Sequence, residues 1–111
     1  MIQLKTLVNP NHLQAFCQRW QIEELALFGS ALRSDFRSDS DIDLLVSFAD
    51  VADWSLLDHV QMQFELQELF GRDVDLINKA ALKQSENWIR REEILETATP
   101  IFTTSGFVYE S

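Results

Sequence analysis

Glu24-Leu25-Ala26-Leu27-Phe28, Leu44-Leu45-Val46 and Asp73-Val74-Asp75-Leu76-Ile77 are apolar runs too short for buried helices, and glycine or aspartate bounds each of them. Runs of this length and bounding read as strands buried in a sheet. Helical patterns lie between and around them. Asn9-Pro10 supplies an N-cap and a first-turn proline, and Leu13, Phe16, Cys17 and Trp20 then recur at helical spacing, ending near Gln21. Asp53 is the expected N-cap of a second long helix reaching Phe70, with Leu56, Leu57, Val60 and Phe64 as its inner face and Gly71 as its terminator. A third helix is expected from about Gln84 to Thr97, burying Trp88, Ile89, Ile94 and Leu95. Pro100 stops it, and Ile101-Phe102 follows as a short edge strand. The polar segment 30–40 reads as a helical turn and a loop, and the tail from Thr103 shows no pattern. Helices alternating with strands imply an α/β (α+β) domain, a small mixed β-sheet flanked by helices. The expectation is a single domain over residues 1–111, with its core at about 10–102.

Composition narrows the function classes. Apolar residues make up 46% of the chain, enough for one packed core. Eighteen acidic residues against nine basic ones give a net charge of −9, which opposes direct binding of nucleic acid through its phosphates. A single cysteine excludes an internal disulfide and a multi-thiolate zinc site. No apolar run approaches a membrane span, and no signal pattern opens the chain, so a cytoplasmic protein is expected.

The chemistry-bearing residues lie at the strand ends. Asp41 and Asp43 flank Ile42, and a strand's period of two sends both carboxylates to one face. Neighbouring carboxylates repel unless a cation lies between them, and magnesium suits a site with few carboxylates and several waters or phosphates. Asp73 and Asp75 repeat the spacing on another strand, and either could add a third carboxylate. A calcium loop is rejected, because Leu44 and Asp50 stand where such a loop needs glycine and glutamate. Gly29-Ser30 ends a strand where glycine lets a phosphate approach the backbone. Arg33 and Arg37 are the only lysine or arginine residues between Arg19 and Arg72, and they stand close enough to neutralise a triphosphate. Cys17 reads as core, His12 and His59 lack catalytic partners, and Trp20, Trp54 and Trp88 read as core or interface.

Gly29-Ser30, ten residues, then Asp41-Ile42-Asp43 resembles the signature of the DNA polymerase β-like nucleotidyltransferase superfamily. Val74-Asp75-Leu76 is similar to that superfamily's third carboxylate strand, and the short chain looks like its minimal branch. The resemblance implies two magnesium ions held by Asp41, Asp43 and Asp75, which would be the catalytic residues. It further implies ATP as nucleotidyl donor, with Gly29 and Ser30, flanked by Arg33 and Arg37, at the triphosphate. Members of this branch encoded beside a HEPN-family ribonuclease are antitoxins that transfer AMP to a tyrosine of that toxin, and the chain is similar to them. The expected partner is therefore a HEPN toxin in a hetero-oligomeric complex. Two other readings stand beside this one: transfer to a small cationic acceptor such as an aminoglycoside, and non-catalytic neutralisation of a partner by occlusion. A template-copying polymerase is excluded by size and charge.

Overall fold

A computed structural model describes residues 8–29 and 41–103, together with the backbone of 106–107. Helix α1 (Pro10–Arg19) starts where the Asn9 side chain accepts hydrogen bonds from the N–H groups of Asn11 and His12. It buries Leu13, Phe16 and Cys17, then ends two residues earlier than its apolar pattern suggests, with Gln21 in the left-handed region at φ 55°. Strand β1 (Ile22–Phe28) runs next and is longer than its apolar run, because buried Ile22 begins it. Strand β2 (Ile42–Phe48), helix α2 (Leu56–Phe70), strand β3 (Val74–Asn78), two short helices, α3 (Lys79–Lys83) and α4 (Trp88–Thr97), and strand β4 (Thr99–Thr103) follow. A two-residue strand β5 (Gly106–Phe107) completes the sheet, whose order is β3-β2-β1-β4-β5. The β2–β3 pair is parallel and the others are antiparallel, so the sheet is mixed as expected.

Both faces of the sheet are covered. Leu25, Leu27, Ile42, Leu44 and Val46 pack with Leu13, Phe16, Met62 and Leu66 of α1 and α2. On the other face Ala26, Phe28 and Leu45 pack with Leu82 of α3 and Ile94 of α4. Burial on both sides explains why β1 and β2 read as continuous apolar runs instead of alternating ones.

Several expectations need correction. The N-cap of α2 is Ser55, not Asp53: its side chain and that of Asp58 bond each other's backbone N–H in a capping box. The helix also presents a different face to the core. Met62, Leu66 and Phe70 are buried, whereas Leu56, Leu57, Val60 and Phe64 are exposed. The physical reason is the open edge of β3. Gln63 Oε1 and Gln67 Oε1 accept from the N–H groups of Leu76 and Val74 (3.2 and 3.4 Å), and His59 Nε2 lies 2.9 Å from the Leu76 carbonyl. Seating that polar row on the unpaired edge turns the 56/57/60/64 stripe outward. The helix expected over 84–97 is shorter, since α4 begins only at Trp88, and α3 at 79–83 is a further helix that the sequence pattern did not reveal. Trp88 and Ile89, in the first turn of α4, are exposed, while Ile94 is buried and Leu95 packs beside it. Ile101-Phe102 belongs to β4, which is not an edge strand, since it lies between β1 and β5.

Candidate active site

Strand register places the carboxylates. Phe28 pairs with Asp43 on the antiparallel side, and Asp43 pairs with Asp75 on the parallel side. Paired residues point to the same face, so Phe28, Asp43 and Asp75 form one row across three strands. Asp41 lies two residues before Asp43, just outside β2, and takes the same face. Adjacent strands stand about 4.8 Å apart, so the carboxyl groups of Asp43 and Asp75 are close neighbours. Asp43 is half-buried, whereas Asp41, Asp73 and Asp75 are exposed. The next row inward is apolar: Ala26, Leu45 and Ile77 stand in register behind the acids. The carboxylate row therefore has water before it and a hydrophobic wall behind.

Asp75, not Asp73, is the neighbour of Asp43. Asp73 precedes β3, and its carbonyl accepts from the Ile42 N–H at 2.9 Å, which fixes the register at this end of the sheet.

Gly29 closes the site on the β1 side. Its φ is +70°, and a Cβ built there would lie 2.5 Å from Asp43 Oδ2 and 3.3 Å from its Cγ. The absent side chain is the space in which the Asp43 carboxylate lies. Ser30, Arg33 and Arg37 lie outside the described residues.

The donor set suits magnesium in kind. It consists of hard carboxylate oxygens, those of Asp43 and Asp75 in neighbouring positions, with Asp41 and Asp75 exposed to solvent. Among the described residues no three acidic, histidine or cysteine side chains gather closely enough to hold a metal ion, so Asp41, Asp43 and Asp75 are not drawn together into one cluster.

The family follows from a match that spans these elements. Residues 10–99 fit the model of the nucleotidyltransferase domain. The chain belongs to that nucleotidyltransferase family. It is 36% identical over 72 residues to the protein adenylyltransferase MntA of Thermococcus cleftensis, an alignment covering 65% of this chain and 71% of that protein. A solved minimal nucleotidyltransferase superposes with a TM-score of 0.65 at 32% identity, over 89% of this chain and 96% of the other. At 19% identity a chain from the complex of a tri-AMPylated Shewanella oneidensis HEPN toxin with its MNT antitoxin shares the fold, with a TM-score of 0.60 over 94% of this chain and 75% of that one. The minimal nucleotidyltransferase fold expected from the Gly-Ser and Asp-x-Asp motifs is thus the one present.

Other reactive groups of this nucleotidyltransferase are structural. Cys17 is fully buried, and burial pushes its thiol up to about 12, far from any nucleophilic role near neutrality. The His59 ring is held at the β3 edge, and Trp20 and Trp54 pack edge to face at 5.0 Å, with Trp54 Nε1 donating to the Trp20 carbonyl. A cleft of about 1190 Å³, lined in part by Ser47, Phe48, Trp54, Asn78 and Lys79, opens at the far end of β2 and β3. Its lining includes Leu76 and Ile77, which follow Asp75 on β3, and no sequence motif pointed to it. No described helix is long and apolar enough to cross a membrane.

Proposed function

We propose that this nucleotidyltransferase is an antitoxin that transfers AMP from ATP to a tyrosine of a HEPN-family ribonuclease toxin. The observation that carries the reading is the row of Asp43 beside Asp75, with Gly29 leaving room for the Asp43 carboxylate. Asp41, Asp43 and Asp75 would hold two magnesium ions, which when bound supply charge neutralisation on both sides of an in-line displacement. The chain's own residues do the rest. Gly29 and Ser30 receive the triphosphate at the strand end, with Arg33 and Arg37 as counter-charges. The acceptor's phenolic oxygen forms the new bond to the α-phosphorus, pyrophosphate leaves, and the phenolic proton passes to Asp75. A phenol with a pKa of about 10 is easier to activate than an aliphatic hydroxyl, which favours tyrosine as acceptor. The relatives support the reading by their names: one is a protein adenylyltransferase, and a fold neighbour is an antitoxin bound to an AMPylated toxin.

The test is co-expression with a candidate HEPN toxin, scoring growth and the toxin's intact mass. The wild-type chain should restore growth and add AMP-sized mass. The Asp41→Asn/Asp43→Asn variant should still bind the toxin yet do neither. Full protection by that variant without added mass would establish occlusion instead, and an unmodified toxin with a modified aminoglycoside would establish the small-acceptor reaction.

A further inference from the structure

Helix α2 exposes a second apolar face. Leu56, Leu57, Val60 and Phe64 retain 78%, 80%, 43% and 57% of their accessible surface. At 100° per residue the four span an arc of only about 100°, so they form one continuous stripe. The flank of that arc leading round from Phe64 carries Glu68, Gln61, Glu65 and Asp58, and α2 contains no lysine or arginine. Arg19 is bonded to Glu65, and the cleft that Leu56 lines also carries Lys79 and Lys83. The other flank carries His59 and Gln63, with Gln67 closing the stripe beyond Phe64, and all three are seated on the β3 edge. The stripe is thus a fixed part of the fold's outer surface, apolar at its centre and acidic along its free side.

We infer that this stripe is the docking surface for a cationic amphipathic helix of the partner protein. Two observations choose that occupant. Four side chains make a patch of at most a few hundred Å², which marks an interaction site but falls short of the roughly 800 Å² per partner of a stable interface between whole subunits. One helix laid along another fits that size. A second copy of this chain would bring the same acidic flank and another net −9, whereas a helix with lysine or arginine beside its apolar row complements both features. The inference rests on the proposed function only in supposing that a partner exists. It adds the surface that receives that partner, on the face of the sheet opposite the carboxylates.

The test uses the full chain and a synthetic leucine–lysine amphipathic helix of about five turns, with a scrambled peptide of equal composition as control. The amphipathic peptide should bind and the scrambled one should not. Val60→Ala/Phe64→Ala, which leaves the charge unchanged, should weaken binding about tenfold or more. Leu56→Gln/Leu57→Gln is the second variant should the first lose helicity by circular dichroism. Equal binding of both peptides, or undiminished binding by both variants, would overturn the inference. So would a wild-type dimer in sedimentation that either variant returns to monomer, since the occupant would then be a second copy. Both variants should keep wild-type ATP affinity, whereas Asp43→Asn should keep wild-type peptide affinity. Failure of the docking surface and failure of the proposed chemistry are therefore separately readable.

Discussion

Substituting alanine at Gly29 and at Gly71 separates a backbone cost from a site cost. The two glycines have nearly the same φ, +70° and +68°, yet their surroundings differ completely. At Gly71, which terminates α2, an added Cβ meets nothing within 4 Å. Gly71→Ala therefore carries only the left-handed penalty of about 1–2 kcal/mol, partly offset by the roughly 0.4–1 kcal/mol gained by stiffening the unfolded chain. A net loss near 1 kcal/mol is expected. At Gly29 the same net cost applies, but the methyl would also sit 2.5 Å from Asp43 Oδ2. The carboxylate must then leave its rotamer, at about 0.5–1.5 kcal/mol, and give up the polar interaction it makes, at about 1 kcal/mol. Gly29→Ala should thus cost about 3 kcal/mol, some 2 kcal/mol more than its control.

Urea denaturation of the two single variants, and of Gly29→Ala combined with Asp43→Ala, reads this difference directly. Removing the Asp43 carboxylate should return the Gly29→Ala penalty to the Gly71→Ala level, a coupling of about 2 kcal/mol. Equal penalties at the two glycines, or a coupling below about 0.5 kcal/mol, would show that Gly29 serves only the turn and that the Asp43 carboxylate does not occupy its missing side chain.

Other outcomes follow from the same geometry. Asp43→Asn should keep the fold while nucleotidyl transfer falls by orders of magnitude; radiolabelled ATP measures the second and a urea melt the first. Cys17, whose thiol is raised in the folded chain from 9.0 to about 12, stays protonated there while the unfolded chain loses its proton above 9. Stability should therefore be full below pH 9 and fall by about 1.4 kcal/mol per unit above it, a slope that Cys17→Ala should remove in denaturant titrations. Gln63→Ala/Gln67→Ala should cost about 1–2 kcal/mol and speed hydrogen exchange at the Leu76 and Val74 amides, with amides of β1 serving as the internal control.

The sheet and its carboxylates were legible in the sequence because each depends on period and punctuation alone. Asp41-Ile42-Asp43 needs only a strand to put both acids on one face, and Gly29 needs only a strand end to be a turn. Which of Asp73 and Asp75 joins them was not legible, because it depends on the parallel register of two strands separated by a whole helix, and only that pairing sets Asp75 beside Asp43. Helix α2 misled for a sharper reason: it has two apolar arcs, Leu56-Leu57-Val60-Phe64 and Met62-Leu66-Phe70, and hydropathy cannot rank them. What ranks them is the polar row between. His59, Gln63 and Gln67, four residues apart, look like a solvated face, yet they satisfy backbone groups on the open edge of β3. An unpaired edge must be satisfied or guarded, so the glutamines take the edge, the Met62 arc takes the core, and the other arc is left outside. A stripe left outside in this way is a by-product of edge protection unless it has an occupant, and its acidic flank decides which occupants can use it.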